Sequence, residues 1–105
     1  MHELAYPEFP DSPETEVVLR WLECEEGMQD LVTDLVEETI AQLGERADRD
    51  RILDAVAGAL RAFVRSRNPL MDEVSLYSQL IDVALDRVRW RAIAEWLVPD
   101  DAADG

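Results

Sequence analysis

Lysine is missing from this chain altogether, and cysteine and histidine occur once each, at Cys24 and His2. A single cysteine leaves no intramolecular disulfide and no cysteine-based zinc site. It also fits a reducing interior better than an export route. A single histidine, placed near the N-terminus, leaves His-based zinc or di-iron chemistry without its ligands, and Ser-His-Asp or Cys-His arrangements without a base. The four glycines are scattered, so no glycine-rich phosphate loop is built. No apolar run approaches the roughly 20 residues of a membrane span. Met1-His2-Glu3-Leu4-Ala5-Tyr6 also lacks the basic start and apolar run of a signal peptide, so a cytoplasmic location is expected.

What the chain does have is acid. Twenty-four Asp and Glu face ten arginines, a net charge of −14 over 105 residues. Residues 1–45 hold thirteen acids and only Arg20, whereas residues 46–105 hold eleven acids and nine arginines. Such a balance opposes direct binding to nucleic acid or to an anionic membrane, because both are polyanions. Two readings of the acidity stand side by side. It is either compositional, since GC-rich coding and salt adaptation both deplete lysine, or it is a surface for a basic partner. With 48% hydrophobic residues, regularly spaced, the chain has the makings of one folded domain that buries roughly two-thirds of its unfolded surface.

The apolar spacing predicts an all-α fold, a bundle of four helices plus a short fifth. Residues 1–11, with Pro7, Pro10, Tyr6 and Phe9, read as an extended arm that folds back on its own domain or docks on a neighbouring subunit. Ser12-Pro13-Glu14 is a helix start, with Ser12 as the cap. The first helix then runs to about Glu25 with Val17, Val18, Trp21 and Leu22 inward, and Gly27 ends it. The second carries Met28, Leu31, Val32, Leu35, Val36, Ile40 and Leu43 at three- and four-residue spacing up to Gly44. The third, capped by Asp48 or Asp50, turns Ile52, Leu53, Val56, Leu60, Phe63 and Val64 inward and ends at Asn68-Pro69. Its Ala57-Gly58-Ala59 patch suggests close approach of another helix. The fourth starts after Ser75, with Tyr77, Leu80, Ile81, Ala84, Leu85 and Val88 on one face. Trp90, Ile93, Ala94 and Leu97 then form a face rotated by about 200°, so a break near Arg89 is expected, and a fifth helix ending at Pro99. The domain spans 12–99, and 100–105 form an acidic tail.

No catalytic, cofactor-binding or metal site is expected. Asp48-x-Asp50 begins like a calcium loop, but Leu53 stands where that loop needs glycine and Ala59 where it needs glutamate. Three surfaces are candidates instead. Asp30, Asp34, Glu37 and Glu38 form an acidic face on the second helix, where like charges at i,i+4 repel and no basic residue of that helix relieves them. Arg61, Arg65, Arg87 and Arg91 form an Arg-rich patch, which is an anion site, a set of partners for Asp82, Asp86 and Glu95, or a surface for the acidic helices of another copy. Trp96 falls off the inward face and either covers the core edge or anchors an interface.

The stretch Leu76-Tyr77-Ser78-Gln79-Leu80 with Val88-Arg89-Trp90-Arg91-Ala92-Ile93-Ala94-Glu95 resembles the C-terminal segment of small uncharacterised helical proteins from bacteria and their phages. Those proteins share a V-x-W-x-x-I-A-E turn, often with Asp or Asn as a cap before the Trp, where this chain has Arg89. The resemblance implies a helical fold and no activity. The function expected from the residues is that of a non-enzymatic, acidic interaction protein that self-associates, with a homodimer or a basic protein as partner. The alternatives are a DNA mimic that inhibits a nucleic-acid-binding protein, and a small enzyme or regulator using a carboxylate-bound metal.

Overall fold

Five amphipathic segments form five helices in the computed structural model, which describes residues 9–67 and 75–99. They are α1 (Pro13–Cys24), α2 (Met28–Leu43), α3 (Arg49–Ser66), α4 (Leu76–Asp86) and α5 (Trp90–Leu97). No strand occurs among the described residues. α3 is the spine, packing along α2 on one side and α5 on the other, while α1 leans on α2 and touches α5. α4 makes only slight contact with the other helices. The expected end of the third helix at Asn68-Pro69, the first eight residues and the acidic tail lie outside the described residues.

The core follows the spacing of apolar residues on α2, α3 and α5. Met28, Val32 and Val36 come one turn apart from α2, Ile52, Leu53, Val56 and Leu60 from α3, and Ile93 and Ala94 from α5. Phe63, Val64, Trp90 and Leu97 close its edges, as the periodicity predicts. Leu31 departs from expectation and faces outward on α2. Asp48 Oδ1 accepts the Arg51 N–H at 2.9 Å, so Asp48 rather than Asp50 caps α3. Phe9 folds back against the core, and its N–H donates to Glu16 Oε2 at 2.9 Å. Gly27 and Gly44 both have positive φ, 81° and 85°, which lets the chain reverse tightly on either side of α2.

Three expectations need correction. On α1 the buried set is Thr15, Leu19 and Leu22, whereas Val17 is 63% exposed and Trp21 sits at the surface. Of the four residues expected inward, Leu22 is in the core and Val18 packs against it, and the face is rotated from Val17 and Trp21 toward Leu19 and a threonine at 15 whose hydroxyl is fully satisfied. On α4 only Leu85 and Ser78 are buried, and Tyr77 and Leu80 point to solvent, since little of the molecule packs against this helix. Gly58 accommodates no neighbouring helix. A Cβ there meets no atom within 4 Å, so its propensity cost of up to about 1 kcal/mol is not offset by close packing.

Candidate interaction surfaces

The break between α4 and α5 falls where the change of face requires it, and it is stitched to the start of α1. Ser12 makes no side-chain cap to α1. Its hydroxyl donates instead to the Arg87 carbonyl at 2.9 Å and lies 2.6 Å from Thr15 Oγ1. Thr15 Oγ1 in turn accepts the Arg89 N–H at 2.8 Å. One assignment of protons satisfies every bond, with Thr15 donating to Ser12 and Ser12 donating to the carbonyl. Both side chains are buried. Arg89 starts α5 without a side-chain cap, because a guanidinium has no acceptor to offer the first-turn N–H groups, while its own N–H is held by α1. Above this seam the Arg89 guanidinium pairs with Asp11 at 2.6 Å, and that hydrogen bond and charge hold the Asp11 carboxyl below its ordinary range.

The acidic face is real as a surface. Asp30, Asp34, Glu37 and Glu38 are all exposed on one side of α2. None of them makes an ion pair among the described residues. At the N-terminal end of α2 the acid continues into the α1–α2 turn, where Glu23, Glu25, Glu26 and Asp30 border a shallow polar hollow with the exposed Cys24. Among the described residues no three metal-capable side chains converge.

The four arginines expected to form one patch fall into separate settings. Arg61 pairs with Asp86 at 2.7 Å, joining α3 to α4, and Arg65 borders the same hollow with Asp82. Arg91 reaches from α5 across to α3, where it binds Asp54 at 2.7 Å and Asp50, with Glu95 of its own helix at 3.9 Å. Arg61 and Asp54 are seven residues apart, roughly 10 Å along α3, so these are two sites and not one. Arg87 is exposed at the end of α4. Of the acids proposed from sequence as arginine partners, Asp86 and Glu95 serve as such. Asp50 and Asp54, not foreseen, hold Arg91 most closely.

Trp96 is partly exposed, and its indole N–H donates to Glu23 Oε1 at 2.7 Å, which ties α5 to the end of α1. Sequence reasoning missed a fourth surface. Leu76, Tyr77, Leu80 and Val83 of α4 are between 54% and 68% exposed. Beside them an apolar groove of about 360 Å³ runs between α1 and α4, walled by Val17, Val18, Ile81, Ala84 and Val88, with Glu14 as the only charged wall residue among the described residues. The signal was present in the sequence as six large apolar residues in eleven, Leu76, Tyr77, Leu80, Ile81, Val83 and Leu85, more than one inward face of so short a helix can hold. No protein-family model matches the chain, and no curated protein or solved structure shows significant similarity to it. No helix among the described residues is long and apolar enough to cross a membrane.

Proposed function

We propose that this protein is a non-enzymatic interaction protein: it associates with itself and presents the acidic face of α2 to a basic protein partner. One observation carries the reading. Arg61, Arg89 and Arg91 are each engaged by acids of the same domain, while Asp30, Asp34, Glu37 and Glu38 have no cation opposite them among the described residues. Repulsion at i,i+4 costs a few tenths of a kcal/mol per pair, and a basic partner relieves it on binding. The test is retrieval of protein partners by the wild-type chain and by a variant with Asp30, Asp34, Glu37 and Glu38 changed to Lys or Gln. Partners held by the wild type and lost from the variant, with helicity unchanged, support the reading; an identical set from both removes it.

A second reading shares this face. Acids one helical turn, 5.4 Å, apart approximate the spacing of phosphates on a strand, and their alignment on one exposed side suits a mimic of DNA. A mimic competes with DNA for a basic protein, with affinity falling steeply as salt rises. Failure to compete across a panel of nucleases and repressors sinks that alternative and leaves the broader one standing.

A further inference from the structure

We infer that the outer stripe of α4, together with the α1–α4 groove, is the surface on which a second copy of this chain docks, as a symmetric antiparallel pair of α4 helices. The inference rests on the self-association proposed above and names its location. Leu76, Leu80 and Val83 stand at i, i+4 and i+7, one face of a helix, and Tyr77 links that stripe to the groove walls Ile81 and Ala84. This stripe lies on the side of α4 away from Leu85 and Ser78, the residues it buries against its own domain. These four side chains and Val17 are each more than half exposed and lie side by side around the groove, a grouped apolar patch of the kind that marks a protein–protein contact rather than the scattered single hydrophobics of an ordinary surface.

Charge selects a second copy as the occupant. A molecule of net charge −14 meets its own kind with least repulsion where its charge is locally balanced. Around α4 and the groove the acids Glu14, Asp82 and Asp86 are matched in number by Arg61, Arg65 and Arg87, whereas α2 has no such balance. A head-to-tail contact of acidic face on arginines is disfavoured, because Arg61 and Arg91 already hold internal acids. A twofold pairing needs a self-complementary stripe, and this one qualifies: Leu80 meets its own copy near the axis while Leu76 meets Val83 from the other chain.

Sedimentation across about 1–200 µM, a range that brackets weak to moderate dimers, decides it. The wild type is expected to approach twice the 12.0 kDa chain mass as concentration rises. Leu80→Glu and, independently, Val83→Glu are expected to weaken the dimer by about a hundredfold or more, with helicity by circular dichroism unchanged because both positions are more than half exposed. Leu31→Glu, on the exposed side of α2, is expected to leave it intact. A wild type that dimerises and is unaffected by either α4 change overturns the docking surface while self-association stands. A wild type that stays at one chain mass throughout overturns both.

Discussion

Asp50 and Asp54 on α3 repeat carboxylates at four-residue spacing, and so do Asp30, Asp34 and Glu38 on α2. The two ladders are treated in opposite ways. On α3 the guanidinium of Arg91 lies across both acids and makes them a clamp between α3 and α5. On α2 nothing among the described residues answers the charge, although the backbone and the exposure are the same. A repulsive spacing is therefore a matter of neighbours and not of the helix itself. The α3 ladder closes its electrostatics within the molecule, and the α2 ladder leaves them open for something outside it.

The most damaging way to break this arrangement is at the seam that joins the two halves. Thr15→Val keeps the shape but leaves the part-buried Arg89 N–H without an acceptor and disrupts the buried Ser12 bond, so a loss of about 1–3 kcal/mol is expected in denaturant unfolding. Thr15→Ser is expected to recover most of it. The comparison itself is sharpened by giving α2 the cation it lacks. Asp34→Arg turns two repulsive i,i+4 spacings, to Asp30 and to Glu38, into attractive ones, for an expected gain of about 1 kcal/mol that shrinks with added salt. Gly58→Ala supplies the uncharged control, with an expected gain of up to about 1 kcal/mol, from a more favourable helix propensity with no clash and no response to salt. Arg91→Gln converts the α3 ladder into a copy of the α2 one. A smaller destabilisation is expected, since the pair is exposed, and a thermal melt should find it largest in dilute buffer. Weaker still is the Asp11–Arg89 pair. Its depressed carboxyl adds stability that is fully present above the free acid's range and is lost as pH falls below that range through the lowered folded-state value, and Asp11→Asn should flatten that part of a pH–stability curve.

Helix number, the α4–α5 break and the inward faces of α2, α3 and α5 were legible in the sequence because packed helices impose their period on the chain. The change of register between Val88 and Trp90 admits either a break or a helix that passes between two packing layers, and the chain breaks there. The acidic face was legible too, since an unbroken run of acids at helical spacing has to be exposed. The α1 face was not, because Thr15 scores as polar until the Arg89 N–H and Ser12 are placed around it. Nor was the exposure of α4, whose spacing is that of a buried helix, since periodicity reports an apolar face and not what covers it. The pairing of Arg91 with Asp50 and Asp54 joins residues 41 and 37 positions apart and depends on the α3–α5 crossing.

A thermal melt by circular dichroism, run from dilute buffer to molar potassium chloride, tests the central claim most directly. If the α2 acids are an open surface on an otherwise well-held domain, the chain melts cooperatively from a helical state in dilute buffer, and salt adds only the modest relief of exposed like charges. A chain that is loose in dilute buffer and gains most of its stability as salt rises would contradict the account, and would make the acidity an adaptation to a saline solvent and not a surface kept for a partner.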